Sequence, residues 1–133
     1  MRHLYVLALA AVLAGCDSSA PDEGAAVTGT YTGTNQSTTG ADYNYGLWII
    51  QSGTEIRGSG SITVGPSSGF ISVMGMRTGD AVRLDLTATG DVKGQVIFEG
   101  TVQDDAMLIR GAVCSTSAGS RCNPLVLVRS PDP

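Results

Sequence analysis

The side chains able to do chemistry in this 133-residue chain are few and scattered. Two carboxylates facing each other across a cleft can hydrolyse glycosides. By residue type Asp85, Glu99 and the adjacent Asp104 and Asp105 are the candidates. Asp85 falls on the polar face of an alternating stretch, and Asp104-Asp105 read as a turn, where aspartate is favoured for its backbone hydrogen bonds. Glu99 has no assigned partner. The two turn aspartates could offer oxygens to Ca²⁺, but the Gly-spaced aspartate ladder of known loops is missing. Lys93, the only lysine, lies between Gly90 and Gly94 in a turn, away from the apolar surroundings that depress a lysine pKa. Cys114 and Cys122 enclose the polar segment Ser115 to Arg121. Their spacing is not the Cys-x-x-Cys of a redox pair, and the expected state is a disulfide clipping a hairpin end, worth about 2 to 3 kcal/mol. The single histidine is His3.

His3 belongs to a leader. Met1-Arg2-His3 is basic, Leu4 to Leu13 is apolar and Ala14-Gly15-Cys16 is a small-residue exit, the three parts of a secretory signal peptide. The apolar run is too short to span a bilayer, which needs about 20 residues. Leu13-Ala14-Gly15-Cys16 also resembles the lipobox of bacterial lipoproteins. The resemblance implies that Cys16 becomes the first residue of the mature chain and carries the lipid, with palmitate among the expected acyl groups, and that the protein is anchored to a membrane of the bacterial cell envelope. Asp17 resembles the signal that retains lipoproteins of some diderm bacteria in the inner membrane, and the choice between inner and outer membrane stays open. An ordinary secretory signal, with Cys16 an unpaired thiol, is the alternative.

Loss of residues 1–15 removes the only histidine, and with it Ser-His-Asp and Cys-His arrangements and any His-ligated metal. With Cys114 and Cys122 paired, no thiolate nucleophile remains. The mature chain is therefore expected not to be an enzyme, and to hold no cofactor or metal beyond the covalent lipid. The formal charge of −4 becomes −5 once Arg2 is gone. Without a basic patch, neither nucleic acid nor anionic lipid is an expected partner, so membrane attachment falls to the acyl chains, of which two or more give stable anchoring.

The remaining 118 of 133 residues suit one domain. Residues 16–26, polar and without periodicity, read as the lipidated cysteine and a flexible tether; 27–130 as the domain; 131–133 as a fraying tail. The domain shows short alternations punctuated by 18 glycines over the whole chain, with no helical stripe. Eight strands are expected: Thr28–Thr34, Tyr45–Gln51, Glu55–Val64, Phe70–Arg77, Ala81–Thr89, Gln95–Thr101, Ala106–Val113 and Leu125–Arg129. Gly58 and Gly60 suggest a bulge or sharp bend. Val82, Leu84, Leu86 and Ala88 point to the core. Trp48, Phe70, Met74 and Met76, with Tyr43 and Tyr45, could line a pocket or form a partner-binding patch, and burial of both faces of the Phe70–Arg77 strand is the expectation. Asn35-Gln36-Ser37 matches a glycosylation acceptor but reads as a loop triplet. Short turns make sequential strands antiparallel neighbours. The expected fold is an all-β, up-and-down meander closed into a small barrel, because closure removes both exposed edges. A β-sandwich is the alternative.

Gly29-x-Tyr31 near the start and Arg129 at the end resemble the closing contact of calycins, the superfamily of lipocalins, avidins and a bacterial metalloprotease-inhibitor family. There a Gly-x-aromatic on the first strand packs under a basic side chain from the last. The family's usual tryptophan is Tyr31 here, and Trp48 stands alone where biotin binders need several tryptophans. Three functions follow in order of expectation: a non-catalytic interaction or structural module of the envelope with a protein partner; a lipocalin-like carrier of a small apolar ligand; and a protease inhibitor of calycin type. A barrel filled by Val, Leu and Ile would remove the second.

Overall fold

The computed structural model describes residues 24–36, 40–116 and 121–131. The leader, Cys16 and most of the tether lie outside the described residues, as do residues 37–39, 117–120 and 132–133. Eight strands follow one another: β1 (Gly29–Gln36), β2 (Asp42–Ser52), β3 (Glu55–Val64), β4 (Ser67–Thr78), β5 (Ala81–Gly90), β6 (Gly94–Gln103), β7 (Leu108–Ser115) and β8 (Cys122–Arg129). Each pairs antiparallel with the next, and β8 returns to β1 through Tyr31↔Arg129 and Thr32↔Val128, closing the barrel.

Alternation decides which side chains go inside. On β5, Val82, Leu84 and Leu86 are buried while Arg83 and Thr87 face solvent, as period 2 requires of a strand with one wet face. On β2 the inward set is Tyr45, Leu47 and Ile49, which leaves Trp48 and Ile50 outside. β4 buries Ile71, Val73 and Arg77, so Phe70, Met74 and Met76 lie on the outer surface. The expectation that both faces of this strand are buried is corrected: nothing among the described residues covers the outer one.

Strand ends differ from the sequence reading where turns are tighter. Gly53-Thr54, Gly65-Pro66 and Gly79-Asp80 are two-residue hairpin turns, each with φ near +60° at its glycine, the conformation a Gly-first hairpin turn demands. Ser67 and Ser68, expected in a turn, therefore belong to β4. β1 extends to Gln36 and β2 begins at Asp42, so residues expected in a polar loop are paired strand: Asn35 stands opposite Tyr43 and Gln36 opposite Asp42. β7 starts at Leu108 instead of Ala106, because Asp104, Asp105 and Ala106 all take positive φ in the preceding turn. No bulge interrupts β3 at Gly58 or Gly60; the pairing with β2 and β4 is continuous. Instead, a methyl group on Gly58 would collide with the Trp48 carbonyl oxygen, and one on Gly60 with that of Gly46. The two glycines let β2 and β3 press together where the wall curves.

Cys114 and Cys122 form a disulfide between facing residues of β7 and β8. Their Cα atoms are 4.0 Å apart, closer than the roughly 4.4 Å lower bound usual for a bridge. Ser115 N–H donates to the Arg121 carbonyl at 3.0 Å, so the neighbouring Cys114–Cys122 pair is the non-hydrogen-bonded kind, in which facing residues lie closest.

Candidate functional site

The two ends of the barrel are built differently. At the end where the chain arrives, Tyr31, Ile49, Ile56, Val82, Ile109 and Leu127 are all buried, Val27, just before β1, is fully buried beneath them, and a hollow of about 260 Å³ lies among Ala25, Arg77, Val102 and Asp104. Arg77, on the inward side of β4 and 1 % exposed, ties this end together. Its Nε donates to the Gly79 carbonyl at 2.8 Å. Its Nη1 donates to the Ala25 carbonyl at 2.7 Å and to Gln51 Oε1 at 3.2 Å. Asp80 lies 3.6 Å from Nη2. Gln51 Oε1 also accepts from Val27 N–H at 2.8 Å, so the segment leading into β1 is fastened to the barrel floor. Ala25, Val27 and Thr28 are thus hydrogen-bonded to the barrel, with Val27 buried in it and Ala25 and Ala26 exposed.

The residues of the calycin resemblance meet at this end. Arg129 lies across Gly29, its Nε 3.0 Å from where a Cβ on that glycine would stand, and Tyr31 stands opposite Arg129. The Tyr31 hydroxyl donates to the Ala106 carbonyl at 2.6 Å, which holds the left-handed Asp104–Ala106 turn over the floor. Burial raises the Tyr31 pKa above the ordinary tyrosine value, opposed by the positive charges of Arg129 and Arg77.

At the other end the described residues leave a hollow. A cup of about 310 Å³ has Tyr45, Ile62, Ile71 and Leu86 as its inner wall and Val92 and Lys93 at its rim. An adjoining cavity of about 240 Å³ shares Tyr43, Tyr45, Val96 and Ser115 with it and reaches Asn35, Val113 and Asn123. The turn Gly90–Gly94 shapes the rim: Asp91 and Val92 N–H groups both donate to the Ser68 carbonyl, at 3.1 and 3.2 Å, which carries Lys93 to the mouth. Tyr45 is 5 % exposed, and burial pushes its pKa up to about 12, with Tyr43 adding to the shift. Asn35 is 7 % exposed, and its Oδ1 has no hydrogen-bond partner among the described residues.

No family model, curated protein or solved structure matches the chain. Function is therefore read from the barrel itself.

The carboxylates singled out by residue type do not face one another inside it. Asp85 accepts a hydrogen bond from Gln95 Nε2 at 2.7 Å, and Glu99 pairs with Arg83 at 3.2 Å on the exposed face. Asp104 and Asp105 are in the turn at the floor end. Trp48, Phe70, Met74 and Met76 do not line the cup. Trp48 (54 % exposed), Met74 (57 %) and Met76 form, with Ile50, an apolar strip across the outside of β2 to β4. Exposed Arg57, 2.9 Å from Glu55, crosses that strip. Cys16 lies outside the described residues.

Sequence reasoning missed Asn35 and Arg77. Both stand on inward positions of their strands, Asn35 in step with Tyr31 and Arg77 in step with Ile71 and Val73. Counting in twos along each strand is the signal that finds them.

Proposed function

We propose that the protein is a non-catalytic binding protein that takes a small, largely apolar ligand into the open end of its barrel. The observation that supports this is the make-up of the interior: one end is filled by Tyr31, Ile49, Ile56 and Leu127 and has only a hollow of about 260 Å³ lined by Arg77, Asp80, Gln103 and the Asp104–Ala106 turn, whereas the other holds a cup of about 310 Å³ walled by Ile62, Ile71 and Leu86. That volume lies at the lower end of small-molecule sites, and apolar walls with a few placed polar groups are their usual make-up. A filled barrel would have spoken for a purely structural role.

The lipobox-like Leu13-Ala14-Gly15-Cys16 supports attachment to a cell-envelope membrane through lipid on Cys16. Seven residues lie between Cys16 and Gly24, eight Cα–Cα steps with a reach of at most about 28 Å. Because Ala25 is held at the floor by Arg77, the cup then faces away from the membrane. Native mass spectrometry of the purified protein is expected to show a bound small molecule that is lost in Ala88→Trp, whose indole fills the cup. Ligand-free wild-type protein that also fails to bind any apolar probe would overturn the reading.

The strip of Trp48, Ile50, Met74 and Met76 favours a second reading, docking of an envelope protein on the outer wall. Recovery of a partner from envelope extract would then depend on Trp48 and Met74, and equal recovery by the Trp48→Ser/Met74→Ser variant would remove it.

A further inference from the structure

We infer that the outer strip of Trp48, Ile50, Met74 and Met76 rests on a zwitterionic lipid surface, so that the barrel lies with its β2–β4 wall against the membrane, a reading that rests on the Cys16 anchor proposed above. Of the large apolar side chains exposed among the described residues, Phe70 lies toward the cup. Trp48, Ile50, Met74 and Met76 lie in the halves of β2 and β4 that run into the Gly53-Thr54 and Gly79-Asp80 turns, at the end where the chain arrives, and exposed Met107 and Val128 belong to that end too. The tether leaves from behind the same wall. Arg77, which holds the Ala25 carbonyl, follows Met76 in the chain. Gln51 follows Ile50; its Oε1 accepts from Val27 N–H, and its backbone N–H donates to Thr28 Oγ1 at 3.1 Å. With Gly24 at most about 28 Å from a lipid-bearing Cys16, the strip is confined near the membrane, and its docking becomes an intramolecular step that a small apolar face can complete.

Position favours lipid over a protein partner, because the anchor holds this face beside the membrane at an effective concentration that a freely diffusing partner does not share. The side chains fit the same occupant. Tryptophan, with an apolar body and a polar N–H, suits the boundary between headgroups and acyl chains, and flexible methionines need no shaped counterpart to pack against. The charges of this wall cancel in exposed pairs, Glu55 with Arg57 at 2.9 Å and Arg83 with Glu99 at 3.2 Å. The stem of Arg57 can lie on the apolar strip while its head stays in water. Asp85, opposite Met74 on β5, adds a negative charge, which disfavours an anionic surface and points to zwitterionic headgroups.

Trp48 is the only tryptophan in the chain, so its fluorescence reports on the strip alone. The test places the lipidated mature protein, with the modification of Cys16 checked by mass spectrometry of its N-terminal peptide, in phosphatidylcholine vesicles with and without bromine on the acyl chains. Bromine quenches a tryptophan that enters the lipid, and Trp48 emission is expected to fall by at least about half in the brominated vesicles. Trp48→Phe/Phe70→Trp moves the reporter to the cup end and is expected to lose less than about a fifth. Ile50→Ser/Met74→Ser/Met76→Ser, confined to exposed positions, should reduce the quenching of Trp48 at least about twofold with an unchanged circular dichroism spectrum. Unquenched Trp48 in protein that carries the lipid overturns the inference and leaves the anchor in place, and an emission shift that instead follows protein concentration without vesicles assigns the strip to a second copy. Quenching that survives the triple variant, or that is equal for the moved reporter, overturns the role of the strip. Unmodified Cys16 overturns the anchor and the inference with it. The wild-type and moved-reporter results stand even if the triple variant does not fold.

Discussion

Arg77 is a guanidinium that the fold takes out of water and then satisfies with carbonyls. Three of its hydrogen bonds, to Gly79, Ala25 and Gln51, join β4, the segment before β1 and β2 at one point. Asp80, its charged neighbour, is largely exposed, so the anchoring is done by backbone and amide oxygens more than by the ion pair. Arg77→Met is expected to lower the unfolding free energy by about 1 to 3 kcal/mol, because the carbonyls of Ala25 and Gly79 lose their donor inside the floor; urea denaturation followed by circular dichroism measures it. Tyr45 makes a prediction in pH. Burial favours its neutral phenol and lifts its pKa to about 12, above the ordinary value near 10 that the unfolded chain retains. Between those values the unfolded state holds fewer protons than the folded one, so stability falls as pH rises. The contribution is whole below pH 10 and gone above about 12, on the order of 2 kcal/mol. Denaturation at pH 8 and pH 11.5 should show Tyr45→Phe losing less stability than wild type across that interval.

At the scale of the strand, the wall depends on where side chains are missing. Gly58 of β3 faces inward against the Trp48 carbonyl and Ile49 of β2, so Gly58→Ala is expected to cost about 1 to 3 kcal/mol by overpacking. Gly46 is the contrast: a Cβ there meets only Ser61 Oγ at 3.7 Å, and Gly46→Ala should leave stability within about 0.5 kcal/mol. Paired thermal melts of the two variants decide. The eight strands and their closure were legible because alternation on β5 and glycine-marked turns are local signals. Other features needed contacts from far along the chain. Ala106 looks like the start of a strand, yet it takes φ +67° with its carbonyl bound by Tyr31, 75 residues away. Asn35 looks like loop because Gln36, Ser37 and their neighbours are polar, and only pairing with Tyr43 across the hairpin puts it inside. Arg77 reads as a solvated strand end until residues 25–27 are seen to cover it. Met74 and Met76 mislead in the opposite sense: their hydrophobicity argues for burial, while strand parity with Ile71 and Val73 leaves them outside.

The whole molecule is a closed barrel with one end tied together by Arg77 and the other holding the cup. The chain arrives at the Arg77 end, so a tether from Cys16 would present the cup outward, and the two cations that line the cup and its adjoining cavity, Lys93 and Arg121, stand in a chain of net negative charge. We propose that the cup, not the outer strip, holds the ligand. NMR spectra of the methyl groups and aromatic rings, recorded as 1-naphthol is added to the purified protein, test it most directly. Saturable shifts are expected at Tyr45, Ile71, Leu86 and Val96, with Trp48, Ile50, Met74 and Met76 unmoved. Shifts confined to the outer four, with the cup silent, would contradict it.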